Sequence, residues 1–269
     1  VISAESAIRT MRRDLTVASL VKGVLVAAAL GCALAGPMVV GGWTPTLAIV
    51  AIGAIWVGLG YRSARRSSLA ADSPLLIASG QFDEAERQIE AVLRGFSIFR
   101  NVKLMSLHQL TVLRHAQHRW QESALLSRAL LRQRLGNLGG VARSSRLMLA
   151  DSLLEMGDLQ GAHETILELY RQQLPLSEAM NLLLVQLDYE SRIGAWEAMM
   201  RGVVTKMQLA ELMPAAAAAK AQALLALAAR RSGREDWAEW LGKRAALLGD
   251  VQEMVKDRGE LGEVLGKSP

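Results

Sequence analysis

The chain contains a single cysteine, Cys32, in 269 residues. One thiol excludes an intramolecular disulfide and any multi-cysteine metal centre. Aromatic residues amount to only 4%, so the chain is short of the aromatic side chains that stabilise sandwiches and barrels. Alanine and leucine dominate instead, and both favour packed helices. Catalytic signatures are missing as well: the sequence has no glycine-rich phosphate loop, paired-cysteine motif, nucleophile elbow or zinc-protease helix. The expected protein is all-α and not an enzyme, with no catalytic residue, no cofactor and no metal.

Charge is the other absence, and it is local. Mean hydropathy is +0.20 although 21% of residues are charged, because no charged residue occurs between Gly23 and Tyr61. A membrane-spanning helix needs about 20 apolar residues, so this run suits two spans joined by a tight turn. Gly36-Pro37 and Gly41-Gly42-Trp43-Thr44-Pro45 supply the breakers, with Trp43 an aromatic of the kind enriched at membrane interfaces. The spans are placed at 20–40 and 44–61. Gly23, Ala27, Gly31 and Ala35 recur every fourth residue on the first, and Ala54 and Gly58 do so on the second; such stripes let another helix approach closely.

Flanking charge gives the orientation. Arg9, Arg12, Arg13 and Lys22 precede the first span and Arg62, Arg65 and Arg66 follow the second, while the connecting loop carries none. Retention of Lys and Arg on the cytoplasmic side puts both ends there, which for a chain rich in Ala, Leu and Arg means a bacterial inner membrane. A cleaved secretory signal ending near Ala33-Leu34-Ala35-Gly36 is the rival reading of residues 1–35. The apolar segment that follows at once favours retention. Around Cys32, Ala29-Leu30-Gly31 departs from the leucine-first order of a lipid-attachment site.

Beyond a basic segment at 1–19, the hairpin at 20–61 and a linker at 62–73, a pattern recurs in the soluble part. Its copies are Gly80-Gln81-Phe82-Asp83-Glu84-Ala85, Arg119-Trp120-Gln121-Glu122-Ser123, Gly157-Asp158-Leu159-Gln160-Gly161-Ala162 and Gly194-Ala195-Trp196-Glu197-Ala198-Met199, with a looser Gly233-Arg234-Glu235-Asp236-Trp237-Ala238. The anchors Phe82, Trp120, Leu159 and Trp196 are 38, 39 and 37 residues apart. This resembles the tetratricopeptide repeat family, in a degenerate form whose period exceeds the usual length of about 34 residues. The resemblance implies that 74–249 is an α-solenoid of helix pairs, with glycine closing the first helix of a pair and a small residue where the two cross. A tail follows at 250–269. The layout of two spans before such repeats, with Gly36-Pro37-Met38, is also similar to bacterial membrane proteins associated with heme biosynthesis.

Net charge is +5, and it conceals two opposed blocks. Residues 91–146 hold ten Lys or Arg and one acid, Glu122, whereas 147–200 hold nine acids and two arginines. Arg94, Arg100, Lys103, Arg114, Arg119, Arg128, Arg132 and Arg134 are therefore the candidate partner-binding residues, facing an acidic protein, anionic lipid or a second copy of the chain. Nucleic acid fits less well, since a membrane tether restricts access and only Phe96, Phe99 and Trp120 interleave the basic residues. His108, His115 and His118 lie close in sequence without a set of carboxylates at helical spacing, so ordinary helix-surface histidines are expected rather than a metal site. Met199, Met200, Met207 and Met213 read as gap fillers between helices. The function expected from these features is a non-enzymatic, membrane-anchored scaffold or assembly subunit that binds protein partners through the solenoid and other membrane subunits through the hairpin. Two alternatives stand beside it: an enzyme or sensor component with a histidine site, and a self-associating membrane-surface protein.

Overall fold

The structure is a computed structural model that describes residues 2–39, 43–68 and 71–266, with side chains placed for all of these except 35–39, 44, 45, 66 and 67. It is 82% helix, and no strand occurs among the described residues. The chain divides into two units, Val1–Met148 and Leu149–Pro269. The division falls within one helix, α7 (Gly139–Glu155).

The first unit begins with α1 (Ala4–Val39) and α2 (Thr44–Ser68), which pack against each other. It continues through α3 (Ser73–Ala78), α4 (Phe82–Arg94), α5 (Arg100–Ala116) and α6 (Trp120–Leu131). Its core contains a group of residues that the sequence reading placed in a separate basic segment. Ala4, Ala7, Ile8 and Met11 lie on one helical stripe and pack with Ile2 against Ile89, Leu93, Leu104, Leu107 and Leu110. The first helix therefore starts at Ala4 and not at residue 20. Three arginines in five positions, Arg9 to Arg13, hide an amphipathic pattern whose apolar members are mostly small. Burying Ile2, Ile8 and Met11 contributes roughly 1.5–3 kcal/mol each.

A 36-residue helix is about 54 Å long, well beyond the hydrocarbon thickness of about 30 Å. Its first half can thus belong to a water-soluble core while its second half is apolar on every side. Stretches of mean hydropathy 2.1 in α1 and 1.6 in α2, each only 6% buried, are long and apolar enough to cross a membrane. Leu20, Val24, Leu30, Leu47, Val50 and Val57 are all exposed. The small-residue stripe is not the α1–α2 contact: a Cβ at Gly23, Gly31 or Gly58 would meet nothing within 4 Å, and Ala27 and Ala54 are exposed. The side chain of Ala35 lies outside the described residues. α2 extends through half of the expected linker. There the buried Ser63 hydroxyl accepts the Ile98 amide at 3.3 Å, and Pro74 takes the start of α3 as its fixed φ allows.

Five helix ends repeat one geometry. At Gly80, His118, Gly157, Gly194 and Gly233 the backbone turns left-handed, with φ of 75°, 57°, 78°, 71° and 71°. In each case the next amide returns to the carbonyl five residues earlier: Gln81 to Leu76, Arg119 to Arg114, Asp158 to Leu153, Ala195 to Glu190 and Arg234 to Ala229, all at 2.8–2.9 Å. The left-handed residue itself donates to Ile77, His115, Leu154, Ser191 and Arg230. These are five Schellman caps. A new helix starts two residues after each, and the fifth position after each, Ala85, Ser123, Ala162, Met199 and Ala238, is buried. The motif therefore recurs every 37 to 39 residues in backbone geometry as well as in sequence. Its second copy puts histidine where the others have glycine, which is why the sequence alone showed no glycine there.

The second unit contains α8 (Leu159–Tyr170), α9 (Leu176–Arg192), α10 (Trp196–Met200), α11 (Val203–Glu211), α12 (Ala215–Arg231) and α13 (Glu235–Leu248). Its core is α12, where every residue from Ala221 to Ala229 is buried; a helix apolar on all faces belongs inside. Met199, Met200 and Met213 fill this core and Met207 packs on it. The C-terminal segment is not a frayed tail. α14 (Val251–Asp257) is capped by the Asp250 carboxylate, and a 3₁₀ turn and α15 (Gly262–Leu265) then place Leu261 in the core. Arg258 reaches back to the buried Asp188 at 2.5 Å, a contact 70 residues apart that no local pattern signals.

At Gly157 and Gly233 a Cβ would meet no atom within 4 Å, so an alanine there is opposed by backbone strain alone. Gly157→Ala and Gly233→Ala should each lower unfolding free energy by about 1 kcal/mol, measured by urea titration. His118→Gly, which relieves the same strain, should not destabilise by this amount.

Candidate functional site

The eight basic residues expected to meet a partner separate into three groups. Lys103 and Arg114 are wholly buried, with 0% of either side chain exposed, and this corrects their assignment as partner-binding residues. The Lys103 ammonium donates to the carbonyls of Leu93 at 2.6 Å and Gly95 at 2.5 Å, at the end of α4, and pairs with Asp14 of α1 at 2.6 Å. A cation at a helix C-terminus satisfies carbonyls that the helix leaves open. Arg114 donates to both oxygens of Glu86 at 2.7 and 3.2 Å, to Gln117 at 2.7 Å and to the Ile2 carbonyl at 2.9 Å. Its Nε lies 3.1 Å from Glu122. The hydrogen bond from Arg114 holds the Glu86 carboxyl below its usual 4.5, outweighing the burial that acts against it. In a chain with a strongly basic block, these two cations look like surface charge until the tertiary partners Asp14, Glu86 and Glu122 are known.

A second group is exposed or half-buried. Arg94 pairs with Glu90, Arg119 with Glu122, and Arg100 donates to Gln133 at 3.2 Å. Arg134 is exposed on the surface.

The third group forms the candidate site. Arg128 and Arg132, one turn apart on and just past α6, face Arg9 and Arg12, one turn apart on α1, across a groove of about 440 Å³. Ile8, Leu125 and Ala129 complete its lining with one carboxylate, Glu5. All four arginines are exposed. Sequence reasoning used Arg9 and Arg12 only for membrane orientation and missed them as lining residues. The apolar stripe through Ala4, Ala7, Ile8 and Met11 was the signal that could have placed them, since it directs residues 5, 9 and 12 to the flank of a docked helix.

The histidines serve local packing. His115 and His118 each set a ring edge-on to Trp120, at centroid distances of 5.1 and 5.0 Å. His108 lies 3.3 Å from the Ser145 hydroxyl, and burial lowers its pKa to about 4. Among the described residues no group of three or more His, Cys, Asp or Glu is placed to hold a metal ion. In the second unit, Trp237 and Trp240 meet edge to face at 5.9 Å, and the Arg244 guanidinium lies 4.9 Å from the Trp240 ring. The repeat-defining residues Gly80, Phe82, Ala85, Trp120, Gly157, Leu159, Ala162, Gly194, Trp196 and Gly233 lie at or within five residues of the Schellman caps, so they shape the backbone and add no reactive group.

Compared with protein-family models, with curated proteins and with solved structures, the chain matches none.

Removing a buried cation leaves its carboxylate partners uncompensated. Arg114→Met and Lys103→Met should each destabilise the first unit by about 3–5 kcal/mol, whereas Arg94→Gln and Arg134→Gln should change stability by under about 0.5 kcal/mol; denaturant titration separates the two classes. His108 gives a pH signature. Its folded-state pKa is about 4 against an ordinary 6.5, so the unfolded chain binds a proton that the folded chain refuses between these values. Stability should fall as pH is lowered from 6.5 towards 4, and His108→Gln should flatten this part of the stability–pH profile.

Proposed function

We propose that the protein is a non-enzymatic, membrane-anchored scaffold whose helix pairs form a tetratricopeptide-like solenoid that docks partner proteins. In this reading α1 and α2 cross a bacterial inner membrane as a hairpin and both flanks are cytoplasmic. The observation that carries it is the continuity of α1, whose first half is core for the first unit and whose second half is exposed and apolar. A helix shared in this way leaves no flexible tether, so the first unit stays at the membrane surface.

Three further features support the reading. Exposed Trp43, just before α2, and Tyr61 on it are 18 positions apart, about 27 Å along a helix, which matches aromatic anchors at the two faces of a bilayer. Arg62 and Arg65 follow Tyr61 directly, as residues held on the cytoplasmic side do. The exposed stripe of Gly23, Ala27 and Gly31, with Ala54 and Gly58 on α2, is unused by the hairpin itself and suits packing against another membrane subunit. For the solenoid, the support is the five Schellman caps at a period of 37 to 39 residues, because regular recurrence of one helix-pair unit is the basis of such architectures.

Two measurements test this together. Reporter fusions after residue 269 and in the loop near Trp43 should give cytoplasmic and external signals respectively; an external C-terminus would contradict the proposed topology. Affinity purification from native membranes should recover a reproducible protein partner whose association survives Trp43→Ala but is lost when residues 74–266 are deleted. A chain that purifies alone under every mild detergent condition would remove the scaffold reading.

A further inference from the structure

We infer that the groove between α1 and α6 seats the phosphate of an anionic phospholipid headgroup in the leaflet that α1 enters. The inference rests on the reading that α1 and α2 cross a membrane, and it assigns a ligand class to the arginine groove.

Part of the basic charge of the first unit is not used by its fold. Arg94 and Arg119 each take a carboxylate, and Lys103 and Arg114 are neutralised inside. By contrast Arg9, Arg12 and Arg132 form no ion pair among the described residues, although they share one groove with Arg128 and the single acid Glu5. Arg9, Arg12 and Arg132 brought together beside Arg128, with Glu5 the one acid in the lining, leave an excess of positive charge that favours an anion in the groove. Planar guanidinium forks match the paired oxygens of a phosphate better than any other common anionic group except a carboxylate.

Size and lining narrow the ligand. A groove of about 440 Å³ falls in the range of small-molecule sites and is far too small for a folded domain. Its floor is apolar, built from Ile8, Leu125 and Ala129. A phosphodiester with glycerol carbons attached offers both an anion for the arginines and CH groups for this floor; inorganic phosphate offers only the first.

Position points to a lipid as the source. α1 is unbroken from Arg12 into the apolar stretch, with exposed apolar side chains from Val17 and Leu20 onward and a charge-free run that begins just after Lys22. The eight to ten helical residues from Arg12 to Leu20 and Lys22 correspond to about 12–15 Å. The headgroup region on each side of a bilayer occupies about 5–7 Å, and the extended arginine side chains span the remainder. Because α1 is rigidly packed in the core of the first unit, the groove is held at this depth.

The test uses the full chain in nanodiscs of phosphatidylcholine with and without phosphatidylglycerol, with native mass spectrometry of the lipids retained on release. The wild type should retain phosphatidylglycerol in preference to phosphatidylcholine. The triple variant Arg12→Gln/Arg128→Gln/Arg132→Gln should lose this preference by about tenfold or more, while Arg94→Gln/Arg134→Gln should keep it. All of these side chains are exposed, and an unchanged helical circular-dichroism spectrum and melting temperature would exclude misfolding. Equal retention by the triple variant would overturn the proposal. So would full displacement of the lipid by millimolar inorganic phosphate, which would indicate a soluble ligand, or a photo-crosslinker at Leu125 that labels a protein and no lipid in native membranes. Alkaline carbonate extraction keeps the two inferences apart. Release of the chain from membranes would remove the membrane reading itself, whereas a chain that stays embedded yet shows no anionic-lipid preference would overturn the groove assignment alone.

Discussion

Arg114 is bonded simultaneously to the backbone at Ile2, to Glu86 on α4 and to Gln117, and it faces Glu122 on α6. Lys103, three turns earlier on the same helix, joins the end of α4 to Asp14 on α1. Both cations emanate from α5, so one helix fixes the first turns of α1 against the helices that follow. Buried ion pairs of this kind add little net stability, because desolvation offsets the Coulomb attraction, but they penalise every arrangement in which a partner is missing. The apolar contacts of Ile8 and Met11 supply affinity for the docked helix, and the buried cations supply its register. The groove exists because that register places Arg9 and Arg12 opposite Arg128 and Arg132.

The second unit uses a related device at another place. Asp188, 1% exposed, is held by Arg192 one turn along α9 and by Arg258 from the C-terminal segment. Arg192 also donates to the Leu154 carbonyl at the end of α7 at 2.7 Å, as Lys103 does for α4. In the first unit a buried lysine closes a helix C-terminus and an acid from a distant segment completes it; in the second a partly buried arginine closes the helix end, its acid lies one turn away, and the distant segment contributes a second arginine. Terminal segments that would otherwise fray are thereby incorporated into the core: residues 2–15 in one unit and Arg258 to Leu265 in the other.

What was legible in the sequence followed from local rules. The charge-free run from Gly23 to Tyr61 marked the two apolar helices, since apolar composition and length are enough for that inference. The recurrence at Gly80, Gly157, Gly194 and Gly233 marked helix ends, because a left-handed residue almost requires glycine. His118 occupies the same conformation without being glycine, and the pattern there was visible only through Trp120. The candidate site was half legible. Arg128 and Arg132 were read as exposed basic residues, while Lys103 and Arg114 were grouped with them because burial of a cation depends on acids 28 and 89 positions away in the chain, at Glu86 and Asp14. Arg9 and Arg12 were missed because three nearby arginines resemble a membrane flank whether or not the helix carrying them is docked.

α1 is one helix, docked at its start against the core of the first unit and exposed and apolar at its end, so the proposed membrane span is joined to the first unit without a flexible tether. Amide hydrogen exchange on the full chain in nanodiscs measures this directly at residues 4–18. Docking predicts that these amides are protected to the same degree as those of α5, and that they open only with the first unit as a whole. Exchange within seconds at residues 4–18, while α4 to α6 remain protected, would show a flexible basic segment ahead of the span and would contradict the account.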